Sequence, residues 1–355
     1  MSQEDERTQA ANIFDVARLA GVSHQTVSRV INNQPNVRPA TRARVEKAIA
    51  QLRYSPSPAA RALVTRRTRT IGLIVPAVSD YGPTSTAIQF NVAARAARYN
   101  VDTVTAVEID PTGIRSLVEG LLRQRVDAIV VVVNDIEVLD VVQALDLNIP
   151  LVAAAATARR SPRLVSIDQY RGARSAVRHL AELGHTRILH LAGPTRAPDT
   201  IERARGWRDE LGARQLEVVE PLHGEGTAAS GFTLGLELDI RPGSAVFVAN
   251  DHMAIGLLSA LRERDIRVPE DVSVVGFDDV PESGYLVPPL TTIRQDFAAL
   301  GELIMQKVLV SVEEPDRVTE DTPLATRLIV RQSTRAADRP EAPMDVIPRA
   351  RAPRS

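Results

Sequence analysis

Between Val22 and Gln34 the chain reads VSHQTVSRVINNQ. Val27, Val30 and Ile31 fall at helical spacing, and Ser23, His24, Gln25, Thr26, Ser28, Arg29 and Asn32 occupy the remaining surface. A solvated helix face usually carries Glu and Lys; this one has neither. Hydroxyls, amides, an imidazole and a guanidinium are the groups that bond base edges and phosphates. Acid would repel a polyanion, and lysine would meet a base edge only as a flexible point charge. The charge distribution agrees. Residues 1–70 hold 12 Lys and Arg against 5 Asp and Glu, a net +7, while the remainder carries −8 in a chain whose total is −1. A basic head on an acidic body suggests one module that meets polyanions and another that does not.

Three short helices must present that face. Asn12 can cap the first, with Asp15 as its acidic partner and Phe14, Val16, Ala17 and Leu19 as apolar positions. Gly21 ends it, Ser23 caps the second, and Asn32-Asn33-Gln34-Pro35 closes the second. A third helix is predicted from about Pro39 to about Arg53, with Val45, Ile49 and Leu52 inward. Ala17, Gly21 and Val27 have the spacing of a helix-turn-helix: a small residue for close approach, glycine for the turn, a branched residue beneath the second helix. Val16, Ala20, Val22 and Val30 fill the neighbouring core positions. Residues 1–11 are polar and expected to be disordered. The stretch YSPSPAARALVTRRTRT (54–70) reads as a linker in which Ser57-Pro58 starts a helix too short to be stable alone in water.

From Thr70 the texture changes to strand–helix alternation. TIGLIVP (70–76), VDTVTAV (101–107), DAIVVVV (127–133), LVAAAA (151–156), VSID (165–168), RILHLAG (187–193), EVVEPL (217–222), AVFVAN (245–250) and SVVGFDD (273–279) read as strands between helical patterns, the first of these over about 85–98. Continuous apolar strands between helices predict parallel sheets covered on both faces, and two doubly wound lobes that divide near Ser161-Pro162. A helix over 297–310 and the strand RLIVRQS (327–333) are expected to cross back between the lobes. The Pro- and Arg-rich end is expected to be disordered.

The 44% hydrophobic share suits a globular core, and zero cysteine excludes disulfide and thiolate chemistry. No apolar run reaches the roughly 18 residues of a membrane span, and MSQEDERTQA has no signal-peptide core. A cytoplasmic protein without membrane partners is expected. Enzyme chemistry finds little support. There is no Gly-rich phosphate loop and no G-x-S-x-G elbow. His24, His179, His185, His190, His223 and His252 show no metal spacing. Adjacent Asp278-Asp279 lacks, on adjacency alone, the separation that paired glycosidase carboxylates need. No catalytic residue, metal or cofactor is expected.

The stretch IFDVARLAGVSHQTVSRVINNQPNVRPATRARVEKAIAQLRYSPSPAARAL resembles the DNA-binding head of the lac repressor (LacI/GalR) family of bacterial transcription regulators. The resemblance continues through AGPTR, RARGW, FVANDHMAIG, VVGFDD and PPLTTIRQDF, over about residues 12–333. It implies an α/β protein: a small all-α helix-turn-helix head (12–56), a hinge helix and linker (57–69), and a two-lobed doubly wound body like periplasmic binding proteins (70–333). The N-lobe would take about 70–164 and 296–324, the C-lobe about 165–295 and 325–333, and 334–355 would be a disordered tail.

The same resemblance implies base contacts from His24, Gln25 and Arg29, and phosphate contacts from Ser23, Thr26, Ser28, Asn32, Asn36, Thr41 and Tyr54. A helix cap for Thr41 and core packing for Tyr54 remain open beside those roles. AARAL matches the hinge helix, with Leu63 as the minor-groove wedge. Ala60 belongs to the same element, and Ser57 stands where the family usually has asparagine. Between the lobes, Arg203, Asn250 and Asp278 match the polar ligand contacts, Pro83 and Phe297 the pocket wall, and Gln295 an amide at the lobe crossing. Ala155 and Gly226 replace an aspartate and a stacking tryptophan of the family's namesake, so a less aromatic, roomier pocket is expected. Trp207, one helical turn from Arg203, would report on ligand binding.

The implied function is a repressor that binds a near-palindromic double-stranded operator as a homodimer and is released by a small carbohydrate, a glycoside or disaccharide. The family's namesake forms a tetramer through a C-terminal leucine heptad. This chain has no leucine after Arg331 and prolines at 340, 343, 348 and 353, so a dimer is expected. The alternatives are a stand-alone sugar-binding protein, which leaves the head unexplained, and a regulator with a nucleobase-like corepressor.

Overall fold

The structure is a computed structural model that describes residues 11–31, 34–54, 67–77, 80–107, 111–157, 161–314, 317 and 322–337. Asn32, Ser57, Ala60 and Leu63 lie outside the described residues, and with them most of the expected hinge. The chain divides into two compact units, Met1–Arg69 and Thr70–Ser355.

In the first unit α1 (Ile13–Ala20) starts at the Asn12 cap, whose side chain accepts from Phe14 N and Asp15 N. The Asp15 carboxylate accepts from Asn12 N at 3.0 Å, which completes the capping box. Gly21 ends the helix with φ 64°, a left-handed turn that costs glycine little. Ser23 Oγ accepts from Thr26 N at 3.2 Å and opens α2 (His24–Ile31). Pro39 begins α3 (Pro39–Gln51). Val16, Ala17, Ala20, Val27, Val30, Val45 and Ala48 form the core of this unit. Phe14 and Leu19, expected inward, are 64% and 49% exposed. The inward stripe of α1 runs through positions 16, 17 and 20, and residues 14 and 19 fall off it.

In the second unit β1 (Thr70–Pro76), α4 (Tyr81–Ala96), β2 (Asn100–Ala106), α5 (Pro111–Arg123), β3 (Ala128–Val132), α6 (Ile136–Ala144), β4 (Leu151–Ala154) and β5 (Leu164–Val165) build one lobe. Its sheet is parallel in the order β2-β1-β3-β4-β5. Val130 and Val132 of β3 join a core with Phe90 of α4, while Ile129 and Val131 join a second core with Ile114 and Leu121 of α5. Alternate side chains of a strand face opposite sides, so a strand covered on both reads as an unbroken apolar run.

The second lobe takes α7 (Gln169–Glu182), β6 (Arg187–Ala192), α8 (Pro198–Ala213), β7 (Leu222–His223), α9 (Ala228–Glu237), β8 (Ser244–Val248), α10 (Asp251–Glu263), β9 (Ser273–Asp278) and β10 (Thr291–Arg294). The chain then returns to the first lobe as α11 (Phe297–Glu313), which packs on α4, and re-enters the second as β11 (Arg327–Ile329). This sheet runs β11-β10-β9-β8-β6-β7, with only β11 antiparallel to its neighbour. The lobes are thus joined at three crossings.

Several expectations are corrected. Leu164–Val165 pairs with β4, so the first crossing falls after Val165 rather than near Ser161-Pro162. Of EVVEPL only Leu222 enters a strand, where it meets Leu191, and Val218 is 44% exposed. The strand β10 was not foreseen. The expected tail is partly docked: Arg335 N donates to Ser273 Oγ at 3.1 Å and Ala337 N to Leu183 O at 2.8 Å.

Helices α9 and α10 cross backbone to backbone. A Cβ at Gly256 would stand 1.9 Å from Ala228 O, and one at Gly231 2.2 Å from Met253 O. Gly256→Ala is expected to destabilise the body by about 1–3 kcal/mol through overpacking, measured as a lower urea midpoint. Gly212→Ala, with nothing within 4 Å of the added carbon, should leave the midpoint unchanged or raise it.

Candidate functional site

Two surfaces gather the residues singled out above. On the head, Val27 and Val30 are buried while His24, Gln25 and Arg29 are exposed. Those three side chains make no hydrogen bond to a described residue, and His24 only meets the Phe14 ring, at 5.3 Å between centroids. Ser23 and Thr26 are occupied with capping, their hydroxyls 3.0 Å apart. Asn36 is exposed, and Thr41 lies half-buried in the first turn of α3. The cap position there belongs to Arg38, so Thr41 is not the cap. Tyr54 packs against the core of the head.

The second surface is the cleft between the lobes. Arg203 of α8 is only 6% exposed. Its Nε donates to Gln169 Oε1 at 2.9 Å, one terminal nitrogen donates to Ala249 O, and the other lies 3.5 Å from Asp199 and 3.6 Å from Asp278. The guanidinium also lies over the Phe277 ring, 3.9 Å from its centroid. Gln295 Nε2 donates to Asp278 Oδ1 at 2.7 Å and Gln169 Nε2 to Gln295 Oε1 at 2.6 Å. Asn250 caps α10 by accepting from Met253 N at 2.8 Å and donates to Gly226 O at 2.9 Å. Pro83, Ala155, Gln169, Asp199, Gln295 and Phe297 share a cavity of about 50 Å³. Gln169, Gln295 and Phe297 line that space beside Ala155. Phe297 is braced edge-on by Tyr81, with centroids 5.6 Å apart.

The adjacent aspartates divide. Asp279 is held by Arg294 and Arg331, at 2.5 and 2.6 Å, and Asp278 turns to the cleft. Both have positive φ, 111° and 57°, uncommon for residues with a side chain and typical of functional positions. Asp251 anchors this turn. Its carboxylate accepts from Val280 N at 3.0 Å, Ser283 Oγ at 2.6 Å and Thr292 Oγ1 at 2.6 Å. Burial pushes Asp251 up to about 6 against those hydrogen bonds. Burial likewise pushes Asp278 up to about 7, against the pull of Arg203 and with the push of Asp251. Trp207, expected to report on the cleft, is fully buried in the C-lobe core, where Nε1 donates to Ile188 O at 3.0 Å.

Gln169, Asp199 and Asp251 were missed in the sequence. Gln169 follows the first crossing, and its partners lie 34 and 126 residues away. Asp199 sits one helical turn before Arg203, an i,i+4 pairing that was open to inspection. A further bridge spans the lobes: Arg196 bonds both oxygens of Asp135 at 2.8 and 2.9 Å and lies 2.8 Å from Glu137.

A helix-turn-helix head with a basic surface, ahead of a two-lobed parallel body with a polar cleft, defines the class of ligand-responsive DNA-binding regulators. Residues 12–57 match bacterial regulatory proteins of the lacI family, and residues 177–334 match a periplasmic binding protein-like domain. The lactose operon repressor of Escherichia coli K12 is 32% identical over 332 residues, 91% of each chain. A crystal structure of the lac repressor dimer bound to operator and the anti-inducer ONPF aligns with TM-score 0.83 and 31% identity, over 92% of this chain and 100% of that one. A complex of the transcriptional regulator CelR with cellobiose aligns with TM-score 0.65 and 30% identity, over 91% of this chain and 99% of that one. The chain belongs to the lacI family of bacterial transcription regulators.

The raised carboxyls carry a pH signature. A folded-state pKa above the unfolded one contributes stability that is present at low pH and lost as pH rises through the folded value. For Asp278 that window runs from the ordinary 3.8 to about 7. Wild type should therefore lose about 1–2 kcal/mol more than Asp278→Asn between pH 5.5 and 8, read by urea unfolding at both pH values. Equal losses would count against the buried, proton-holding Asp278.

Proposed function

We propose that this protein is a homodimeric repressor whose two heads read a near-palindromic operator and whose cleft binds a small carbohydrate that releases the DNA. The observation that carries the reading is the exposed, uncharged-polar face of α2 with Arg29 at its centre, set on a buried Val27/Val30 seam. In this reading His24, Gln25 and Arg29 contact base edges in the major groove. Ser23, Thr26, Ser28, Asn32, Asn36, Thr41 and Tyr54 hold or approach phosphates. Ser57, Ala60 and Leu63 belong to a hinge that enters the minor groove. Two half-sites would lie about 34 Å apart, one turn of DNA, or somewhat more.

Arg203, Asn250, Asp278 and Gln295, with Pro83 and Phe297 at the wall, form the effector site in this reading. Amide and charged groups suit vicinal hydroxyls, and the CelR–cellobiose relative supports a sugar. Effector and operator then compete through one conformational equilibrium, and each weakens the other by the same factor. The dimer has support in an apolar face on α4. Ile88 and Val92 are 55% and 59% exposed, beside a groove that includes Ala96, Ala298, Met305 and Leu309. Tyr285 and Val287 add exposures of 89% and 94% on the other lobe.

Arg29→Ala is expected to cost about 1–3 kcal/mol on a selected operator and much less on random DNA, measured by fluorescence anisotropy against both. Equal loss on the two would remove Arg29 from base reading. Light scattering at micromolar concentration should return a dimer of the 38.6 kDa chain; a tetramer or a monomer would refute that arm.

A further inference from the structure

Asp80 stands at the N-cap of α4, yet its side chain makes no capping hydrogen bond. An aspartate there ordinarily accepts from the first turn of its helix, which contributes about 1 kcal/mol. Here the carboxylate faces the other lobe. Its Oδ1 lies 3.3 Å from the point a Gly226 Cβ would occupy, and Asn250 Nδ2 lies 3.6 Å from the same point. Gly226 has no side chain to offer, and its φ of 80° disfavours any other residue there. Asn250 already donates to Gly226 O and accepts from Met253 N. Arg203 is committed to Gln169, Ala249, Asp199 and Asp278. Among the described residues no group donates a hydrogen bond to the Asp80 carboxylate. Burial holds that carboxyl above its ordinary value, eased by His252 and Arg203 across the cleft and reinforced by Asp199.

A half-buried acceptor that no described protein group serves is open to donors from water or from a ligand in the cleft. The charges around it fix the sign. Asp80 and Asp199 both flank Arg203, the one buried arginine among the described residues, so an added anion would meet more carboxylate than guanidinium, while hydroxyls or an ammonium would meet acceptors. With Gly226 opposite, the ligand is read here by its polar edge, not by stacking. We propose that Asp80 is a specificity-determining residue of the cleft, which accepts hydrogen bonds from the hydroxyls of a neutral carbohydrate or the ammonium of an amino sugar and rejects uronates and sugar phosphates. This rests on the reading of the cleft as the effector site.

The test is calorimetric titration of the full chain with glucose, galactose, lactose and cellobiose, with glucosamine and galactosamine, and with glucuronate, galacturonate and glucose 6-phosphate. At least one neutral or amino sugar should bind, and no acidic one. Asp80→Leu should weaken that ligand threefold or more, and about tenfold where the lost bond is fully desolvated. Asp80→Asn, which keeps an acceptor but no charge, should retain neutral sugars better than amino sugars if a hydroxyl is the natural donor, and lose the amino sugar if an ammonium is. Binding of a uronate or phosphate to wild type, or a change below threefold in Asp80→Leu, overturns the assignment. Asp278→Asn separates the two claims. If it loses the ligand while Asp80→Leu keeps it, the cleft stands and the Asp80 role falls. If both keep the ligand, or if no sugar binds wild type, the effector-site reading falls as well. Melting of each variant without ligand checks that it is folded.

Discussion

The cleft is organised around a charge that cannot be switched off. A guanidinium stays protonated at any ordinary pH, so Arg203, once buried, has to be neutralised and hydrogen-bonded where it lies. Four elements answer it. Gln169 at the start of α7, Ala249 after β8, Asp199 one turn earlier on α8 and Asp278 at the end of β9 all converge on one side chain, and the guanidinium lies over the Phe277 ring. Their positions depend on further fixed points. Asp278 is aimed because Asp279 is clamped by two arginines and because Asp251 holds the turn that follows. Gly276 leaves room for that anchor, since a Cβ there would stand 2.2 Å from Asp251 Oδ1.

A second buried polar centre shows the same logic without any ligand to serve. Glu210 on α8 is desolvated, which alone would raise its pKa, but the bonds from Arg178, Arg214 and Arg174 hold it down to about 2. It ties α8 to α7 on the outer face of the C-lobe. The helix that carries Arg203 inward is therefore pinned outward as well, and Trp207 fills the core between the two. On the head the arrangement is the reverse: the side chains of His24, Gln25 and Arg29 bond no described residue, and the core beneath them is apolar.

The strands that were legible in the sequence are those covered on both faces. AIVVV and SAVFV are buried at every position, as short apolar runs between helical patterns suggest. The capping box at Asn12 and the cap at Ser23 were legible because their partners lie three residues away. The misreadings have physical causes. Gly82 and Pro83 look like a break, yet the first turn of a helix needs no N–H from proline, so α4 begins at Tyr81. The strand β10 hides because Thr291 and Thr292 look polar; Thr292 is buried by virtue of its bond to Asp251. In the site, Arg203, Asn250 and Asp278 stand out at the ends of strands or on helices with familiar neighbours. Gln169 and Asp80 do not. Their significance lies in which distant residue they face, or in which nearby bond they decline to make, and neither is written in local spacing.

The three crossings between the lobes run after Val165, after Arg294 and after Glu313. Gln169 follows the first and Gln295 lies in the second, and their amides bond each other at 2.6 Å. The axle of the two-lobed body and the polar lining of its cleft are therefore the same side chains. In the effector-site reading, a molecule that parted those amides would act at the pivot, where a small displacement becomes a large arc at the far rim of each lobe. A message that began there would need no chain of intermediaries through the core.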